Sequence, residues 1–174
     1  MAKSGKKGSA AKPNKPKATP APKSPAAPVA TGTPVCIAAL FCDAAVTGVD
    51  KMVTIIRTID TIVFPQDTQM EIGAPIQLST PNRLVIMLKR YDAVGRHELP
   101  VFQVFTETDK TEPIGLIAQD FAEEDPATGY NFIGPVQFVW RGEGLYWLEI
   151  RTKSNTIIAR TALRLKMEAS GDNK

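Results

Sequence analysis

The clearest alternation of apolar and polar positions lies near the end of the chain, over residues 141–167. Tyr146, Leu148 and Ile150 alternate with Trp147, Glu149 and Arg151. A period of two predicts a strand with one face in a core and the other partly wet. Ile157, Ala159, Thr161, Leu163, Leu165 and Met167 then alternate with Ile158, Arg160, Ala162, Arg164 and Lys166. The cations of this second run fall on one side, so a one-residue slip would bury all of them and the register is well specified. Lys153, Ser154 and Asn155 are turn formers between the runs. Gly142 and Gly144 suit a bend before the first strand. The pattern predicts a closing antiparallel hairpin with Tyr146, Leu148, Ile150, Leu163 and Leu165 facing inward and Glu149 exposed on the far side. A lone hairpin is marginal in water, so the upstream chain must supply further strands.

It carries the right signals. Residues 35–42 predict a buried strand ended by Asp43, and Gly48 a bend. Residues 51–60 predict the next strand, which 61–64 continue or resume after a bulge before Pro65 ends it. A short strand is predicted at 76–79. Residues 83–91 are apolar on both faces in their first half, which suits a central strand. Residues 98–106 pair back on it, with Pro100 suiting an edge or a strand start. Residues 114–121 and 130–140 follow, the latter broken at Gly134 and Pro135. No stretch shows a helical stripe. The prediction is an all-β chain, an antiparallel β-sandwich of about eight strands, Ig-like in the loose sense, over residues 35–168.

Composition adds a second physical object. The chain has 174 residues and a net charge of +3. Residues 1–34 hold seven lysines, no acid and seven of the fourteen prolines, so they carry +7 and the remainder −4. This stretch has too little apolar surface to offset the entropy of ordering and is expected to be disordered and biased to extended conformations. The last residues, 169–174, are expected to be disordered too. Lys3, Lys6, Lys7, Lys12, Lys15, Lys17 and Lys23 are candidate contacts for nucleic acid or another polyanion; the plainer reading is a solubilising leader or tether. No apolar run approaches the roughly eighteen residues of a membrane span. Residues 35–42 come too late and are too few for a standard signal-peptide core, which predicts a cytoplasmic protein. Cys36 and Cys42 lie roughly 20 Å apart in an extended strand, beyond disulfide reach. Their equal parity predicts buried thiols facing one way.

Candidate chemistry is sparse. His97, the one histidine, is expected to be solvated in a hairpin turn, and no triad or multi-histidine metal site can be built on it. The C-x5-C spacing is not a zinc spacing. Gly142-Glu143-Gly144 leads into a strand rather than a helix, so it is not a phosphate loop. Glu123, Glu124 and Asp125 read as a solvated acidic loop, since EF-hand spacing is absent. No catalytic residue, metal ligand or cofactor site is expected. Aromatics concentrate in the last third of the chain. They read as packing, or as an exposed recognition patch in which Trp140 and Trp147 join Arg141 and Arg151.

The apolar strand closing on Cys42-Asp43, the Gly and Lys51 before a strand of Ile and Thr, Phe64-Pro65, the run from Gly144 to Ile150 and the strand opening at Ile157 together resemble a family of uncharacterised bacterial β-sandwich domains, a domain-of-unknown-function family. The resemblance covers about residues 35–167. It implies a bacterial, cytoplasmic β-sandwich with no catalytic residues. The resulting expectation is a non-enzymatic interaction module with a protein partner, tethered by its basic tail. The alternative is a nucleic-acid-binding or other polyanion-binding accessory protein acting through the tail lysines.

Overall fold

The computed structural model describes residues 30–49, 52–78, 83–122 and 129–168. Within them the chain forms strands and no helix: β1 (Val35–Thr47), β2 (Val53–Ile59), β3 (Thr61–Phe64), β4 (Pro75–Gln77), β5 (Arg83–Lys89), β6 (Gly95–Phe105), β7 (Lys110–Phe121), β8 (Gly129–Gly134), β9 (Gln137–Val139), β10 (Gly144–Arg151) and β11 (Ile157–Met167). A four-stranded sheet, β2-β1-β5-β8, packs on a five-stranded sheet, β3-β11-β10-β6-β7, and β4 and β9 form a small third sheet. The all-β sandwich is as the alternation predicts. The strand number rises to eleven because two expected strands divide: 51–64 into β2 and β3, and 130–140 into β8 and β9.

The first division is a change of sheet. β2 pairs with β1, and β3 pairs with β11. The crossing is made at Asp60, whose carbonyl accepts from the Arg164 N–H at 2.8 Å. The β3–β11 pair is parallel, and every other named pair is antiparallel.

The closing hairpin pairs as its alternation demands. Tyr146 faces Leu163 and Leu148 faces Thr161 across the ladder. Tyr146, Leu148, Ile150, Leu163 and Leu165 are all fully buried. They meet Phe41, Leu84, Ile86 and Leu88 of the opposite sheet in one core. Burial of each such side chain stabilises by about 1.5–3 kcal/mol before entropy is counted. Asn155 supplies the left-handed turn residue at φ 65°. The Thr152 and Thr156 backbones close the turn at 2.9 Å. At the start of β10 the Tyr146 hydroxyl donates to the Gly142 carbonyl at 2.7 Å and accepts from the Arg141 N–H at 2.9 Å. This tie, a tyrosine corner, anchors the chain where it enters the central strand of a sandwich. It needs the bend at Gly142, whose φ of 114° disfavours any side chain.

Pairing begins ahead of residue 35. Thr31 bridges Val94, and Pro34 is buried. The expectations for residues 1–29 and 169–174 lie outside the described residues.

The two thiols correct the parity argument. β1 carries a bulge between Cys36 and Ala38. Cys36 therefore pairs with Leu88 and packs against the core, while Cys42 pairs with Arg83 on the other side of the sheet. An inserted residue reverses the side on which the following residues fall. Cys42 is fully buried, whereas Cys36 is only half-buried.

Candidate functional site

β10 sits between β11 and β6, so its outward side chains have neighbours on both flanks. The register places Glu149 beside Arg160 on one flank and Phe102 on the other, and Trp147 between Ala162 and Val104. A connected set results. The Glu149 carboxylate accepts from Arg151 Nε at 3.1 Å and Nη2 at 2.6 Å, and pairs with Arg160 Nε at 3.1 Å. Arg151 also donates to Asn155 Oδ1 at 2.8 Å. Its guanidinium lies 4.5 Å from the centre of the Phe102 ring, and that of Arg160 lies 4.2 Å from the Trp147 ring. Each cation thus has an anion beside it and a π-face beneath it, contacts that reinforce one another.

Glu149 is 4% exposed, which corrects the expectation of an exposed carboxylate. The alternation placed it on the correct face. It could not show that long neighbours from two strands would fold over it.

This face also has an excess of positive charge. β10 and β11 together carry Arg151, Arg160, Arg164 and Lys166 against the single carboxylate of Glu149. Arg164 and Lys166 are exposed, and no described carboxylate pairs with them. The basic face contrasts with the net acidic composition of residues 35–174.

The structure divides the expected four-residue patch. Trp147 and Arg151 lie together on the outer face, joined through Glu149. Trp140 does not: it is 5% exposed, and its ring packs edge-on against Phe64 with centroids 6.1 Å apart. Phe138 and Trp140 lie two residues apart after the Gly134-Pro135 break and both turn into the core. Arg141 points elsewhere, to Glu112 of β7, with Nε 3.0 Å from one carboxylate oxygen and Nη2 on the other. The hydrogen bond from Arg141 is the main cause holding the Glu112 carboxyl below its ordinary value; partial burial opposes it, and Lys110 at 3.3 Å adds to the lowering. The tail lysines, Lys3 to Lys23, lie outside the described residues. Sequence reasoning missed Phe102 and Arg160 as members of the face. For Arg160 the signal was the hairpin register, which pairs 149 with 160.

His97 is not a solvated turn residue. It is the third residue of β6, half-buried, with its ring edge-on to Phe121 at 5.3 Å. Its Nε2 lies 3.1 Å from the carbonyls of both Thr31 and Val94, so Nε2 carries the proton and donates. That contact ties down the incoming chain. Among the described residues no group of three or more His, Cys, Asp or Glu could hold a metal. The recess on the open side between β7 and β8 is lined mainly by Leu84, Ile114, Leu116, Phe132 and Val136. It brings no acid–base pair together. No helix among the described residues is long and apolar enough to cross a membrane.

No family model matches the sequence, and no curated protein matches it. Among solved structures, β-glucosidase 3B from Thermotoga neapolitana, in complex with glycerol, is similar over 53% of this chain and 15% of that chain, with 12% identity and a TM-score of 0.36.

Proposed function

We propose that this protein is a non-enzymatic β-sandwich interaction module that binds a protein partner through the outer face of β6, β10 and β11. The observation that supports this is the pair of guanidiniums locked over Phe102 and Trp147 by Glu149. Arg and Trp recur at the energetic centres of interfaces. Here they are already ordered, so binding would spend less side-chain entropy. Sheet stabilisation alone accounts for the stacking, but not for the surplus of cations beside it. The reading includes a bacterial, cytoplasmic setting and the sandwich family of unknown function, on the residues quoted for that resemblance. The tail serves as a tether.

A second reading is polyanion binding through the seven tail lysines, supported by their segregation into a stretch with no acid. The two readings separate in one experiment. The full chain is used to capture partners from an extract of its source cells, and a captured protein is then purified and titrated against the chain. Trp147→Ala with Arg160→Glu should weaken that complex by about tenfold or more. Ile37→Ser, on the other sheet, and Lys→Gln at the seven tail positions should leave it unchanged. A complex indifferent to the first variant but lost with the tail lysines would replace the first reading by the second.

A further inference from the structure

The outward positions of β11 form an ordered row. Arg160, Ala162, Arg164 and Lys166 follow one another on alternate residues. At about 3.3 Å per residue, Arg160 and Arg164 stand about 13 Å apart, and Arg164 and Lys166 about 7 Å. Between the first two, Ala162 is short and sits beside Trp147 in the ladder. The row therefore reads cation, apolar step, cation, cation. Arg160 is held by Glu149 yet its side chain remains 47% exposed, and Arg164 and Lys166 are exposed.

We propose that this row binds an extended, carboxylate-rich protein segment with acids at its first, fifth and seventh positions and an apolar residue at its third. The proposal rests on the reading of this face as the binding surface and specifies its partner. An extended peptide repeats its side-chain direction every two residues, about 7 Å, the same repeat as the row beneath it. Acids at those positions meet Arg160, Arg164 and Lys166, and the apolar residue lies over the short Ala162 step between the cations. Charge complementarity of this kind selects partner and register. Single-stranded nucleic acid fits less well. It needs aromatic faces on which bases stack, and here Arg160 covers Trp147 and Arg151 covers Phe102.

The test uses the full chain, isotope-labelled, and three probes. The first is the acetylated and amidated peptide Glu-Ser-Leu-Ser-Glu-Ser-Glu, the second the same peptide with Gln for each Glu, the third a hexathymidylate. The acidic peptide should give saturable amide shifts along β10 and β11 and move the Trp147 indole signal. Arg164→Glu with Lys166→Glu should weaken it by about tenfold or more, as should the Gln peptide. Lys166→Glu alone, at an exposed position, gives the same direction if the double variant folds poorly. Equal binding of the Gln peptide overturns the proposal. Tighter saturation of the same residues by hexathymidylate overturns the carboxylate segment but leaves the face as a binding surface. No saturable shift on this face with the acidic peptide also overturns the proposal. The capture experiment with Trp147→Ala and Arg160→Glu then decides separately whether the face binds another partner.

Discussion

Gln103 of β6 pairs with Val139 of β9 through its side chain as one strand pairs with another. Its Nε2 donates to the Val139 carbonyl and its Oε1 accepts from the Val139 N–H, both at 2.7 Å. Gln103 is fully buried, between Val101 and Phe105 on the inner side of β6. β9 pairs with β4 on its other edge, so this amide supplies the missing neighbour.

Gln103→Leu keeps the volume and removes both hydrogen bonds. The Val139 N–H and carbonyl are then left without partners inside the sandwich. The expected loss is about 2–6 kcal/mol, since each of the two unsatisfied buried groups costs about 1–3 kcal/mol. Urea unfolding measures it. A loss under about 0.5 kcal/mol, the size of a surface substitution, would show that β9 does not depend on this residue.

The hairpin was legible because every inward residue from Tyr146 to Ile150 obeys one period and the outward cations forbid a slip. Gln103 was not, because a glutamine inside an alternating run reads as an outward position unless its partner strand is known. The role of Asp60 was not legible either: 61–64 reads as a continuation of the strand before it or as its resumption after a bulge, and nothing local says that the chain changes sheets there. On the functional face, the alternation gave the side on which Trp147 and Arg151 lie. It could not supply Phe102, which arrives from a strand more than forty residues upstream. Trp140 stands near Trp147 in the sequence, but its burial follows its own parity with Phe138.

Leu148 and Glu149 now make a pair of unequal but substantial losses. Leu148→Ala removes a fully buried side chain and should cost about 2–5 kcal/mol. Glu149→Ala removes the anion shared by Arg151 and Arg160 and should cost about 1–3 kcal/mol rather than the near-zero effect of an exposed residue. In Glu149→Ala with Arg151→Ala the losses should fall short of additive, because both variants remove the same contact. Full additivity in a double-mutant cycle would mean that the ion pair contributes nothing to stability.

Acid should weaken the fold through Glu112. Its carboxyl titrates below its ordinary value of 4.5 in the folded chain, chiefly because Arg141 donates to it. A group whose folded value is depressed contributes stability that is complete above the unfolded value and lost as the pH falls through the folded one. Denaturation followed from pH 7 down to about pH 3 should show this loss. Glu112→Gln should be less stable at neutral pH and should flatten the decline below about pH 4.5, where the wild type converges towards it. Parallel curves for the two proteins would place the acid sensitivity in other carboxylates.

The bulge in β1 makes a last prediction about Cys36 and Cys42. Six residues apart, they would share a face in an unbroken strand. The inserted residue after Cys36 puts them on opposite sides of the four-stranded sheet. No disulfide can join them in the folded state, because their side chains diverge. Burial pushes both thiols up, and the Asp43 carboxylate adds to the effect at Cys42. Cys36 also donates from Sγ to the Ala38 carbonyl at 3.2 Å. The thiolate is the reactive form, so both should label slowly, but not alike. Cys36 is half-buried and should react in the folded protein at a rate below that of a free thiol. Cys42 is fully buried and should react only as fast as the chain opens, its rate rising with denaturant along the unfolding curve. Mass spectrometry of peptides after timed labelling distinguishes the two sites. Equal, fast labelling of both cysteines, or an intramolecular disulfide formed by mild oxidation without unfolding, would contradict the bulge and the opposed faces that follow from it.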